Sequence, residues 1–191
     1  MRYIVAALIT IGLLATVVVL IVRGISTPAT KPLAVSLNSQ SDTPIQLEYV
    51  QDGIINNNIL HRSISISVNR SNINMTIHKG YQGEVLNSFN FPNNTTSFKN
   101  FLGSMGSLGF TSKKTSPYKA STGLCPLGYR FSFSIVNSTV PALNQSLWST
   151  NCGQGTMNGN VSQIQSVMQN QIPDYWTLIN NVSLDQTAIQ S

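Results

Sequence analysis

Tyr3 to Val22 is a run of twenty residues without a charge, closed by Arg2 on one side and Arg23 on the other. As a helix such a run is about 30 Å long, the thickness of the hydrocarbon layer of a bilayer. It is longer than the roughly 7–15-residue apolar region of a cleaved signal peptide. Arg23 also sits unfavourably beside the small-residue site Gly24-Ile25-Ser26. The sequence therefore predicts an uncleaved anchor over residues 1–23, contacting the lipid bilayer through residues 3–22. No Cys follows the run that could carry a lipid. Everything after the anchor must fold in water.

Orientation is nearly balanced on charge. Arg2 and the terminal amine stand against Arg23 and Lys31. The two cysteines, Cys125 and Cys152, break the tie. An even pair in a membrane-anchored chain fits a disulfide formed outside the cytoplasm. The expected topology is single-pass, with the C-terminal domain outside the cytoplasm. Neither Cys has a second ligand at metal spacing, so zinc is not expected.

Residues 24–44 carry Gly24, Pro28, Pro32 and Pro44 among Ser and Thr, and read as a flexible stalk. Residues 45–191 read as a single extracytoplasmic domain. Charged residues make up only 9% of the chain, with Asn, Ser and Thr in their place. Setting aside Arg2 and Arg23, nine basic residues face six acidic ones, which is no footprint for nucleic acid. The local excess Lys113, Lys114 and Lys119 reads as a solvated loop. Eight Asn-x-Ser/Thr sequons occur, at Asn69, Asn74, Asn93, Asn94, Asn137, Asn144, Asn160 and Asn181.

Alternation marks the strands. Ile45, Leu47 and Tyr49 alternate with polar residues, and Asp52-Gly53 and Asn56-Asn57-Asn58 supply turns. Leu60, Ile64, Ile66 and Val68, then Ile73, Met75 and Ile77, form two strands with one inward face. Register follows from that face: Val68 opposite Ile73, Ile66 opposite Met75, Ile64 opposite Ile77. Val85, Phe89 and Phe91 carry a fourth strand. The period then changes. Thr95 or Thr96 caps a helix bearing Phe98, Phe101, Leu102 and Met105. Tyr129, Phe131, Phe133 and Ile135 make the clearest strand, and a sixth holds Leu147 and Trp148 and ends at Cys152. Asn160 with Gln163 resembles a capping box ahead of a helix with Val161, Ile164, Val167, Met168 and Ile172 on one face. The expectation is an α+β chain: an N-terminal transmembrane helix, then an antiparallel sheet of about five to six strands with two helices packed on one face.

Candidate chemistry is sparse. His61 and His78 fall on the polar face of adjacent strands, with His78 facing Ser63 and His61 diagonal to it. No third ligand completes a metal site there, and both read as exposed, unrelated residues. Ser116-Pro117-Tyr118-Lys119 matches S-x-x-K, but its partner motifs S-D-N and K-T-G are absent. Gly153-Gln154-Gly155-Thr156 joins a strand to a helix but lacks the third Gly and the Lys of a phosphate loop. The six acids are scattered and form no catalytic pair. The expected site assignment is no catalytic, cofactor or metal residue, and a disulfide between Cys125 and Cys152.

Leu124 to Leu184, with its Cys pair, helix and Gln171-Ile172-Pro173-Asp174-Tyr175 segment, resembles uncharacterised membrane-anchored extracytoplasmic proteins of candidate-phylum bacteria. That group implies an anchored α+β domain and transfers no activity. The layout is more distantly similar to type IV pilins: an apolar N-terminal helix, an antiparallel sheet and a C-terminal disulfide loop. It departs from them in lacking a basic leader with a glycine cleavage site and an acid near the start of the apolar helix. The function expected is a membrane-anchored, envelope-exposed, non-enzymatic interaction domain for an envelope or surface protein. A pilin-like or secretion-system assembly subunit stands second. A cell-envelope enzyme without a recognisable motif stands third.

Overall fold

Alternating apolar residues build one antiparallel sheet of six strands: β1 (Ile45–Asp52), β2 (Arg62–Val68), β3 (Asn72–Lys79), β4 (Glu84–Pro92), β5 (Arg130–Asn137) and β6 (Gln145–Thr150). The strand order is β4-β3-β2-β1-β5-β6. The computed structural model describes residues 37–180. The apolar run 3–22 lies outside these, as does the stalk up to residue 36. Among the described residues no helix is long and apolar enough to cross a membrane. Three helices accompany the sheet: α1 (Thr95–Ser107), α2 (Val161–Gln169) and the short α3 (Tyr175–Ile179).

The β2–β3 register is the one the inward face dictates, with Val68 opposite Ile73, Ile66 opposite Met75 and Ile64 opposite Ile77. One side of the sheet is apolar and packs with Phe98, Phe101, Leu102 and Met105 of α1 and Ile164 and Met168 of α2 in a single core. Tyr49, Phe110 and Phe133 meet at its centre, with ring centroids 5.6 Å apart for Tyr49–Phe133 and 6.0 Å for Phe110–Phe133. Burial raises the phenol pKa of Tyr49 above its ordinary value, although Gln165 donates to its oxygen. Burial pushes Tyr175 up to about 12. The other side of the sheet carries the intervening residues of each strand, among them Ser63, Ser65, Ser67, Ser132 and Ser134.

Several local expectations need correction. The cap of α1 is Asn94, whose side chain accepts from the Ser97 N–H, rather than Thr95 or Thr96. Asn160 caps α2 by accepting from the Gln163 N–H, but α2 stops at Gln169 and Ile172 reaches the core from the following turn. β2 begins at Arg62, leaving Leu60 in the preceding turn. Asp52 is the last residue of β1 rather than a turn residue. Val85 does not share the face of Phe89 and Phe91. A bulge between Ile77 and His78 pairs Asn87 with Ile77 and Val85 with His78, which reverses the parity and leaves Val85 57% exposed. β6 ends at Thr150, two residues before Cys152.

Trp148 pairs with Ser132, on the face opposite Leu147. It is still buried, because the chain after the disulfide folds back along β6, where Thr156 and Met157 both donate to the Trp148 carbonyl. Gly155 is needed there: a Cβ at that position would sit 2.4 Å from the Trp148 carbonyl oxygen. The run 153–156 turns after the disulfide, as expected, and returns along the sheet edge on its way from β6 to α2. Residues 37–44, the last part of the proline-containing stretch, belong to the folded body: Leu37 is in the core, and Arg70 donates to the Ser41 carbonyl.

Candidate functional site

The end of the sheet where β1 finishes and β5 begins holds an ion pair, a buried histidine and a disulfide. Asp52 and Arg130 face each other across β1 and β5. Arg130 is buried, and donates from Nε (2.8 Å) and Nη2 (2.6 Å) to Asp52 Oδ2, and from Nη2 to the Gly53 carbonyl (2.6 Å). The other carboxylate oxygen, Oδ1, lies 2.7 Å from His61 Nε2. His61 Nδ1 lies 3.1 Å from the Ile54 carbonyl oxygen. Both ring nitrogens of His61 therefore face acceptors, and the residue is only 2% exposed. It is a buried structural residue, not the exposed one expected.

Tyr81, from the β3–β4 turn, stacks on the His61 ring with centroids 4.0 Å apart. Its hydroxyl accepts from the Asn56 N–H and donates to the Asn56 carbonyl, both at 3.0 Å. Its own N–H donates to Asn58 Oδ1 at 2.7 Å. Ile55 donates its N–H to the Pro126 carbonyl. The loop 53–61, the turn 80–83 and the segment 124–128 are thus bonded to one another and stand on the Asp52–Arg130–His61 network.

The Cys125–Cys152 disulfide is present and pins the third of these segments to the chain just past β6. The loop it closes, with a sequence separation of 27, stabilises the fold by about 3–4 kcal/mol on the chain-entropy estimate. Asn151 reinforces it, accepting from the Tyr129 N–H through Oδ1 and donating its own N–H to the Tyr129 carbonyl. Gly128 makes room for the bond, since a Cβ there would lie 2.5 Å from Cys125 Sγ.

These braced segments present to solvent the polar Asn57, Asn58 and Gln82 together with four apolar or aromatic side chains. Leu127 is 89% exposed, Ile59 63%, Tyr81 50% and Ile55 39%. Single exposed hydrophobic residues are ordinary; these four stand on loops that are bonded to one another.

The remaining sequence candidates do not converge. His78 lies opposite Ser63 as expected, but its Nε2 bonds Ser65 Oγ and its Nδ1 the Gly83 carbonyl, each at 3.1 Å. A hydroxyl, an imidazole and an orienting carbonyl in that order are the parts of a nucleophile and its base. Acyl transfer would also need free N–H donors for an oxyanion. Ser65 sits on an inner strand paired on both sides, opposite Val50 and Thr76, so the N–H groups around it are held in the ladder. Ser116 Oγ accepts from the Tyr118 N–H in a local turn. Lys113 and Lys114 lie where residues 111–115 bridge to Thr156 and Met157. Among the described residues, no three His, Cys, Asp or Glu are grouped to hold a metal.

Four of the eight sequons have a conformational explanation. Asn69 Oδ1 accepts from the Ser71 and Asn72 N–H groups, Asn137 Oδ1 from Thr139 and Val140, Asn94 Oδ1 from Ser97 and Asn160 Oδ1 from Gln163. Thr139 and Ser162 hydroxyls also donate to the Asn two positions earlier. Asn followed by Ser or Thr is here the chemistry of turns and helix caps. Asn137 is buried and closed to modification in the folded chain.

No protein-family model matches the chain, and no curated protein matches it at a significant level.

Proposed function

We propose that this chain is a non-enzymatic interaction domain, held at a membrane by residues 3–22 and displayed outside the cytoplasm, whose contact surface is the braced end carrying Ile55, Ile59, Tyr81 and Leu127. The observation that carries this reading is the combination of exposed apolar side chains with loops that are tied down by a disulfide, the ion pair of a buried arginine and a stacked histidine. The twenty-residue apolar run supports the anchor, and the bonded Cys pair supports an oxidising compartment.

A photo-crosslinking residue at Leu127 or Ile59 tests the reading in intact cells. A discrete adduct with an envelope or surface protein from these two positions, and none from the exposed Tyr118, is the expected result. Equal adduct formation from all three positions would remove the surface from consideration.

A further inference from the structure

The two edges of the sheet are treated differently. The β6 edge is covered by the returning chain, through the Ser149–Gly155 bridge and the bonds to the Trp148 carbonyl. The β4 edge has no such cover: among the described residues no strand lies beyond β4, and no backbone group outside the β3–β4 ladder bonds to residues 85–91. Val85 and Leu86 are exposed there, and Phe89 and Phe91 are half-buried at the rim of the core. A bare edge with apolar side chains is a template for another strand.

Ladder alternation shows which groups are offered. Asn69 donates to Asn72 across the β2–β3 turn, so Asn74, Thr76 and His78 bond towards β2 and Ile73, Met75 and Ile77 towards β4. Their partners Phe91, Phe89 and Asn87 bond inward. The bond from Asn93 to the Ser71 carbonyl agrees with this phase. Ser88 and Asn90 therefore turn their N–H and C=O groups outward. Pro92 has the same phase but no N–H. Leu86 lies in the bulge.

We propose that the β4 edge pairs with β4 of a second copy of this chain, antiparallel about a dyad at Phe89. The two features that interrupt the edge, the bulge at Leu86 and Pro92, each lie three residues from Phe89. In this register they fall opposite one another at both ends, and the stretch 87–91 between them is unbroken. Ser88 and Asn90 of one copy then form hydrogen-bonded pairs with Asn90 and Ser88 of the other. Phe89 meets its own counterpart in the closer, non-hydrogen-bonded kind of pair, which covers the half-buried rings. Glu84, the single charged residue of β4, falls opposite Asn94, so no like charges meet. A dyad at Phe89 puts the two residues with outward groups, Ser88 and Asn90, opposite each other and keeps both interruptions out of the paired stretch. The interface is short, and confinement of both copies to one membrane raises their local concentration. In that respect alone the inference rests on the proposed anchor.

The test is oxidative cross-linking of the full chain in its own membranes. Phe89→Cys is expected to give a disulfide-linked product of twice the chain mass, because the expected Cα separation of about 4.5 Å suits a disulfide. The exposed double variant Ser88→Cys/Asn90→Cys gives the same product without touching the core. Asn100→Cys on α1 does not. Adding Asn90→Pro removes an outward N–H from each copy and lowers the Phe89→Cys product about thirtyfold, the worth of two ladder hydrogen bonds. Cross-linking at Asn100 equal to that at Phe89, no dimer from either edge variant, or adducts of another mass would each overturn the proposal. Carbonate extraction of the same membranes reports on the anchor separately. Release with the cross-link intact refutes the anchor, and retention without a cross-link refutes the pairing.

Discussion

Replacing His61 with alanine removes the side chain that ties the loop 53–61 to Tyr81 and to the end of β1. The His61–Asp52 contact at 2.7 Å is a hydrogen bond to a charged group, a class worth about 1.5–3 kcal/mol. The part-buried Ile54 carbonyl loses its ring contact at 3.1 Å, which costs up to about 1 kcal/mol more. Tyr81 loses the ring it stacks on at 4.0 Å. Asp52 keeps its two bonds from Arg130, which limits the damage. The sum is about 3 kcal/mol, a large share of the ~5–15 kcal/mol stability of a domain. Urea unfolding of a fragment spanning residues 37–191, disulfide intact, measures it as a lower midpoint at unchanged slope. His78→Ala is the control: its partners are Ser65 and Gly83 on the open face, and a surface change costs about 0.5 kcal/mol. Equal midpoints for the two histidine variants would refute the reasoning.

Other outcomes follow from the same contacts. Asp52→Ala leaves the buried Arg130 unpaired and is expected to cost about 3–5 kcal/mol in the same unfolding assay. Cys152→Ser is expected to cost about 3–4 kcal/mol, and mass spectrometry of unreduced peptides from the wild-type chain should show the Cys125–Cys152 link. Alkali should destabilise the fold. Tyr49 and Tyr175 have their pKa raised by burial, so an unfolded chain releases these protons near 10 and the folded one only at about 12 for Tyr175 and higher for Tyr49. Their stabilisation is whole below pH 10 and is lost as pH rises through the folded values, at about 1.4 kcal/mol per pH unit for each group. Denaturant midpoints measured at successive pH values above 10 check the slope.

The strands were legible where side chains alternate without interruption. Ile64, Ile66 and Val68 against Ile73, Met75 and Ile77 exclude a shift of one residue, which would turn the apolar set to solvent, and the short connection 69–72 excludes longer shifts. The helix faces of α1 and α2 were legible for the same reason at a longer period. Val85 was not: the bulge that flips it is a property of how β4 meets Ile77 and His78, and no residue in β4 announces it. The network under the candidate surface was hidden by distance along the chain. Asp52 and Arg130 are 78 residues apart, and only the pairing of β1 with β5 joins them. Once that pairing is known, an acid closing one strand and an arginine opening the next are a usable signal. His61 looked exposed because β2 was extended through Leu60. With β2 starting at Arg62, the residue before it turns inward onto Asp52. Exposure of Leu127 and Ile59 has no sequence signature, since composition does not separate a displayed leucine from a core one.

The account rests on the braced end being displayed outside the cytoplasm by an anchored chain. Ile59→Cys adds a single reactive thiol at an exposed position of that end, both native cysteines being bonded. A membrane-impermeant maleimide applied to intact, wall-stripped cells should label it fully, in protein that resists carbonate extraction. Labelling that appears only after the membrane is permeabilised would contradict the account.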